Sequence, residues 1–254
     1  MGQAVEIKQT TGVLPAKSKL SHGLLKRVLP QPLAARHAEY SMLFSADDGP
    51  GKPSPALLSL SLQAAGVAKD LSLSWISERM EGPPYYPEIW PGESYKLLAA
   101  LVQILKPKLV IEIGTGGGLS ALAMLRQLPP GGRIVTWDIE SWKDMPGAVL
   151  RKEDFRGPDL VQHTDDITHP EGFSKYTELF AQADFFHIDA AKDGVMEQRL
   201  LDLFEAVPFR NKPLFVFDDI RLWAMLKIWR GIQRPKLDVT SFGHWTGTGL
   251  VEWL

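Results

Sequence analysis

Five times between residues 108 and 232 a short apolar run gives way to a stretch with helical periodicity. The apolar runs cover residues 108–113, 133–138, 160–163, 184–188 and 214–217. The helical patterns that follow cover 120–128, a stretch around 146–151, 172–183, 195–207 and 220–232. Strands separated by helices run parallel, because each is reached by a crossover rather than a hairpin. Crossovers put helices on both faces, so the predicted fold is α/β, a doubly wound, Rossmann-like sheet. Residues 237–242 and 248–254 read as two further strands joined by the glycine-rich GHWTGTG, an antiparallel hairpin at the C-terminal edge.

The chain ahead of this pattern has a different texture. Residues 1–36 carry Lys8, Lys17, Lys19, Lys26, Arg27 and Arg36 against the single acid Glu6, with no apolar stretch of the kind a secretory signal needs. They read as an exposed arm that packs on its own domain or on a partner subunit, which makes a homodimer an expectation. Residues 45–55 form a turn-rich linker, and Ser54 before Pro55 supplies the N-cap and first position of a helix over 56–68. A second Pro- and Gly-rich stretch, 81–92, holds Tyr85, Tyr86 and Trp90. Apolar residues at 97, 98, 101, 102, 104 and 105 then mark an amphipathic helix over 94–105. The predicted organisation is an N-terminal arm and helical cap over 1–90, then a ligand-binding core over 91–254.

Composition narrows the chemistry. The 254 residues include no cysteine, which excludes disulfides, thiolate catalysis, thiolate-held zinc and iron–sulfur clusters. A net charge of −2 leaves no general electrostatic footprint for nucleic acid. No apolar run approaches the roughly 20 residues that span a bilayer. The expectation is a cytoplasmic enzyme or binding protein that draws on Asp, Glu, His, Lys, Ser, Thr or a cofactor.

The first strand runs into Glu112-Ile113-Gly114-Thr115-Gly116-Gly117-Gly118-Leu119-Ser120, which opens a helix. Ligands of doubly wound sheets bind at such a turn, where glycines let the backbone approach closely. A dinucleotide fingerprint would need glycine at Leu119; the spacing here is instead E-x-G-x-G-x-G. An acid leading the loop would repel a phosphate and suits a zwitterion with an ammonium group. Asp138, ending the second strand, can accept two ribose hydroxyls, which points to a nucleoside without saying which one. Past the third strand lie Asp165 and Asp166. The glycine segment is similar to the first motif of the S-adenosylmethionine-dependent methyltransferases. The resemblance implies that Glu112, Gly114, Thr115, Gly116, Gly118, Ser120 and Asp138 contact this cofactor, and that Asp165 or, more directly, Asp166 meets the adenine amino group.

Parallel pairing would bring Asp189, after the fourth strand, near Asp218 and Asp219 after the fifth. Carboxylates this close repel unless a proton or cation neutralises them, and oxygen ligands select a hard cation such as Mg²⁺, with Ca²⁺ and Mn²⁺ as alternatives. Strand-end acids capping the next helices fit the same positions. The pattern Ile188-Asp189-x-x-Lys192 followed by an acidic pair resembles the catechol and caffeoyl-CoA O-methyltransferases. Ile188-Asp189 preceded by His187, with Asp218-Asp219, also resembles the macrolide sugar O-methyltransferases. This resemblance, over 91–254, implies Asp189, Asp218 and Asp219 as metal ligands, with Asp189 and Lys192 as catalytic residues and Lys192 as base or charge stabiliser. A desolvated Lys192 would accept a proton through a lowered pKa. Catechol-type enzymes usually have Asn where this chain has Asp219.

Among other residues, His187 lies within a buried strand and reads as a core histidine. Trp223 and Trp229, six apart on a helix, do not share a face. His244 and Trp245, with Tyr85, Tyr86 and Trp90, are candidate substrate contacts; a plain turn and ordinary packing are the alternatives. The implied activity is transfer of a methyl group from S-adenosyl-L-methionine to a hydroxyl of a small molecule, with a divalent metal activating that hydroxyl. Alternatives are a metal-independent N- or carboxyl-methyltransferase, a nicotinamide-dependent oxidoreductase and a non-catalytic relative of the same fold.

Overall fold

Strand pairing turns the alternating pattern into one sheet. The computed structural model describes residues 51–253, so the basic arm and its expected role in oligomerisation lie outside the described residues. β1 (Leu109–Ile113), β2 (Arg133–Trp137), β3 (Leu160–His163), β4 (Phe185–Ile188) and β5 (Leu214–Asp218) pair in parallel. β6 (Lys236–Asp238) and β7 (Thr248–Glu252) join antiparallel, giving the order β3-β2-β1-β4-β5-β7-β6. The order reverses between β1 and β4, the switch point where such sheets bind ligands at their carboxyl edge. The closing hairpin is antiparallel as predicted, but β7 inserts beside β5 and leaves β6 at the edge. β6 is shorter than its apolar run because Asp238 Oδ1 accepts from Thr240 N (3.0 Å) and Oγ1 (2.5 Å), turning the chain away.

Alternation along each strand divides the core in two. Val110, Ile134, Phe185, Val216 and Leu250 belong to one cluster. With them pack residues of α1 (Pro55–Asp70), α2 (Ser74–Ser77), α3 (Tyr95–Leu105) and α4 (Leu119–Leu125). Ile111, Val135, Phe186, Phe215 and Val251 form the other with residues of α5 (Pro170–Ser174), α6 (Thr177–Ala181), α7 (Met196–Glu205) and α8 (Trp223–Gly231). α1 opens as its sequence predicts: Ser54 Oγ accepts the Leu57 N–H at 3.0 Å, with Pro55 in the first turn. Leu57, Ala64 and Ala68 of α1 share a cluster with the sheet, so the helices expected as a cap form a layer of the core. Arg79 ties α2 down, with Nη1 2.7 Å and Nη2 3.0 Å from the two oxygens of Asp154.

Two helical readings differ from the structure. No helix forms around 146–151; Gly147 has φ 72°, and Val149 N–H donates to Gly117 O at 2.9 Å, so this stretch braces the glycine loop. The pattern over 172–183 breaks at Tyr176 into α5 and α6, and the freed Tyr176 hydroxyl reaches Asp165 at 2.5 Å. Among the described residues no helix is long and apolar enough to cross a membrane.

Candidate active site

The carboxyl ends of β1, β2, β3 and β4 surround a cavity of about 630 Å³. Its floor is the glycine loop, held by Gly114 and Thr115 N–H groups donating to Trp137 O at 2.8 and 3.2 Å. Gly114 has φ 101°, and a Cβ there would fall 1.8 Å from the carbonyl oxygen of Asp189. Only glycine permits this approach of β1 to β4. A Cβ at Gly116 would meet nothing within 4 Å, so that side of the loop is open to a ligand.

Asp138, Asp165 and Asp166 line the cavity, as do Gly114, Gly116 and Gly118. Asp138 Oδ2 accepts the Gly116 N–H at 2.9 Å, which joins β2 to the loop. Asp166 Oδ1 accepts from Thr168 N at 2.8 Å and Thr168 Oγ1 at 2.6 Å, and these bonds hold its carboxyl below the usual range. The Tyr176 hydroxyl does the same for Asp165. The exposed side chains of Ile139 and Val195 supply apolar wall. Glu112 is not on that wall. It is fully buried beneath the loop, its Oε1 accepting from Ser120 Oγ at 2.6 Å and lying 3.5 Å from His187 Nδ1. Thr115 and Ser120 do line the cavity, and the Thr115 hydroxyl pairs with Thr136 at 2.7 Å. Register explains the Glu112–His187 contact, since the two residues are directly opposite on β1 and β4. His187 is a core histidine, as read, but its partner is an ionisable acid.

Asp189 lines the cavity and also begins an acidic cluster beside it. Lys192 Nζ lies 2.6 Å from Asp189 Oδ1 and bridges to Asp219 Oδ2. Lys192 (φ 61°) and Asp219 (φ 59°) both adopt left-handed backbone, a strained state for such residues that places their side chains together. Burial alone would lower the Lys192 pKa, but Asp189 and Asp219 outweigh it and hold the ammonium above its ordinary range. The expectation of a lowered pKa is corrected on this point: desolvation is real, and two carboxylates reverse its effect.

His244 sits on the far side of the acidic pair. Its Nδ1 is 3.1 Å from Asp219 Oδ1 and 3.4 Å from Asp218 Oδ2, and its Nε2 is 3.3 Å from Glu93 Oε2. Burial opposes its charge, yet the three acids push the imidazole up to about 10. Burial raises Asp218, while His244, Lys192 and Thr246 outweigh burial and hold Asp219 well below the carboxylate range. Among the described residues, Asp218, Asp219 and His244 form a group whose ligand atoms all lie within 4.8 Å of one another. Asp189 is not in that group. Asp218 Oδ1 is buried with no hydrogen-bond partner. An orphaned carboxylate oxygen beside a second carboxylate and an imidazole fits a divalent cation.

Of the aromatic candidates, Tyr85, Tyr86 and Trp245 are exposed, whereas Trp90 packs partly buried against the core. The Trp245 N–H donates to Gly92 O at 3.2 Å, which sets the 81–92 stretch beside the β6–β7 loop. Sequence reasoning missed four residues of this region. Tyr95 lines the cavity, its pKa raised by burial and by Asp189, Glu93 and Asp218. Glu93 and Thr246 contact His244 or Asp219. Glu197, buried in the first turn of α7, accepts the N–H groups of Lys192 (2.7 Å) and Gly194 (2.9 Å). An acid in the first turn of a helix was the available signal for Glu197.

The profile of the O-methyltransferase family matches residues 86–224, more than half of the chain. The chain belongs to the O-methyltransferase family. It is similar to the mouse (Mus musculus) catechol O-methyltransferase domain-containing protein 1, 29% identical over 120 residues, 44% of this chain and 43% of that protein. The chain thus matches less than half the length of this curated relative. Among solved structures it resembles an SAH-bound Podospora anserina methyltransferase, at 14% identity over 95% of this chain and 98% of that one, TM-score 0.48. It also resembles the Bacillus cereus O-methyltransferase in complex with SAH, at 18% identity over 78% and 92%, TM-score 0.43.

Proposed function

We propose that this family member transfers a methyl group from S-adenosylmethionine to a hydroxyl oxygen of a small molecule, beside a divalent cation held at the acidic cluster. The observation that carries the reading is Asp189, which lines the cavity floored by the glycine loop and pairs through Lys192 with Asp219 of the cluster. Donor and acceptor sites then adjoin.

When bound, S-adenosylmethionine supplies an electrophilic methyl group and leaves as S-adenosylhomocysteine, and the proton of the acceptor hydroxyl passes to solvent. When bound, the cation lowers the pKa of a hydroxyl that it touches. The chain does the rest. Gly116 and Asp138 position the nucleoside, with Ile139 and Val195 covering the faces of its base. Asp166 accepts from the adenine amino group. Asp218 and Asp219 hold the cation, and the Lys192 ammonium steadies negative charge on the acceptor oxygen. Holding the two reactants in line supplies much of the acceleration. Trp245, exposed and with its ring 5.7 Å from that of His244, offers aromatic surface beside the cluster, which favours a ring-bearing alcohol or phenol.

The test is calorimetry with S-adenosylhomocysteine, followed by methyl-transfer assays on catechols, flavonoids, sugars and polyketides with and without excess chelator. Binding of the product and chelator-sensitive O-methylation are expected. Absence of product binding overturns the reading, and full activity in chelator favours the metal-independent alternative.

A further inference from the structure

The β6–β7 loop delivers an imidazole with a carboxylate at each nitrogen. Nδ1 of His244 faces the acidic pair, at 3.1 Å from Asp219 and 3.4 Å from Asp218, while Nε2 faces Glu93 at 3.3 Å. Histidines that ligate metals hold their second ring N–H on a carboxylate in this way, which fixes the tautomer and strengthens the free nitrogen as a donor. A second observation is independent of the imidazole. Asp218 is buried, yet its Oδ1 has no hydrogen-bond partner. A buried carboxylate oxygen without a partner is costly unless a cation satisfies it. The Lys192 ammonium engages both Asp189 and Asp219, but only Asp219 also has a ligand atom within 4.8 Å of Asp218 and His244.

We propose that His244 is a metal ligand, and that Asp218, Asp219 and His244 together hold a divalent transition ion in preference to Mg²⁺. This deepens the functional reading above and rests on it for the use of the ion. Mg²⁺ favours oxygen donors and retains water, whereas imidazole nitrogen favours the later first-row ions. One nitrogen among the donors therefore shifts selectivity toward Mn²⁺ and, more strongly, Co²⁺. Glu93 is a positioning residue that acts through His244, and Thr246, whose Oγ1 lies 2.7 Å from His244 Nδ1, yields that nitrogen to the ion. Asp189 remains with Lys192 at the mouth of the donor cavity.

The test is titration of MnCl₂, CoCl₂ and MgCl₂ into the full, untagged chain by calorimetry, with pulsed electron paramagnetic resonance of the Mn²⁺ form. Mn²⁺ is expected to bind at least tenfold more tightly than Mg²⁺ and to show ¹⁴N modulation from a bound imidazole. His244→Gln is expected to abolish the modulation and weaken Mn²⁺ at least tenfold. Glu93→Gln is expected to weaken it less, with the modulation retained. Asp189→Asn is expected to change Mn²⁺ affinity by less than about threefold. Absence of ¹⁴N modulation in the wild type, or a tenfold loss in Asp189→Asn with none in His244→Gln, overturns the assignment. So does failure of all three ions to bind. S-adenosylhomocysteine titrated into the same samples separates the two ideas. Its binding without any ion removes the metal site and leaves the methyltransferase; His244-dependent ion binding without it does the reverse.

Discussion

The carboxylate of Asp138 accepts the backbone N–H of Gly116 at 2.9 Å, so the end of β2 and the loop after β1 are one bonded unit. A hydrogen bond to a charged group contributes about 1.5–3 kcal/mol. Asp138→Ala removes that bond and the carboxylate proposed for the ribose hydroxyls. Its affinity for S-adenosylhomocysteine is expected to fall about ten- to a hundredfold, on the scale of 1.4 kcal/mol per factor of ten. Calorimetry reads this directly, and a change below twofold would remove Asp138 from the donor site.

Gly114→Ala tests the close approach of β1 to β4. The added Cβ meets the backbone of Asp189, which no rotamer change relieves, at a φ of 101°. Gly131 also has positive φ (72°), but a Cβ there meets nothing within 4 Å. Gly131→Ala is expected to cost only the left-handed conformation, roughly 1–2 kcal/mol. Gly114→Ala is expected to cost well over that, or to prevent folding. Urea denaturation of the pair checks the ordering; equal losses would contradict it.

The sheet was legible because five apolar runs separated by helical patterns admit few topologies, and the glycine spacing placed the cavity at β1. Helix boundaries were less so. The stretch around 146–151 reads as helical in the alternating pattern, yet the Val149 N–H goes to Gly117, a partner distant in sequence. The site divides the same way. Asp138, Asp165 and Asp166 stand at strand ends, and a strand-end acid can be found by counting. A motif does not tell which face its acid takes; one oxygen of Glu112 lies against Ser120 and His187 beneath the loop. Glu93, Thr246 and Glu197 reach the cluster from other segments, through contacts that spacing does not encode.

Arg79→Ala is expected to loosen the helical layer. The guanidinium makes a two-bonded pair with Asp154, donates to Val149 O at 3.2 Å and lies 5.0 Å from the Trp75 ring, all largely shielded from water. Breaking the pair leaves Asp154 with the Arg151 N–H as a donor but without its charge partner, and costs about 3 kcal/mol. Arg156→Ala, which removes an exposed pair with Glu153, is expected to cost less than about 1 kcal/mol. Denaturation midpoints of the two variants decide it, and similar values would show the Arg79 pair to be a surface pair in effect.

Acid stability is expected to depend on Asp166 and Asp193. Thr168 donates to Asp166, and the N–H groups of Met196 and Val195 donate to Asp193, holding both carboxyls below their ordinary range. A depressed folded pKa stabilises above the unfolded value, near 4, and that contribution fades as pH falls through the folded value. Melting temperature should therefore drop as the pH falls below about 4. The double variant Asp166→Asn, Asp193→Asn should show a shallower drop. An unchanged slope would mean that these bonds do not persist in solution.

Glu197 is expected to act on the reaction through Lys192. Both its oxygens are committed, one to the N–H of Lys192 and one to that of Gly194, and it is 1% exposed. These bonds hold Lys192 at φ 61°, a conformation that the chain would otherwise leave. Glu197→Ala frees two partly buried N–H groups and lets the ammonium move from Asp189 and Asp219. The kcat for methyl transfer should fall at least about tenfold, equivalent to 1.4 kcal/mol, while the Kd for S-adenosylhomocysteine stays within about twofold. Glu197→Gln keeps one acceptor and should lie between. A purely structural role would lower stability and donor affinity together, with kcat per folded molecule preserved, and that result would separate Glu197 from the chemistry.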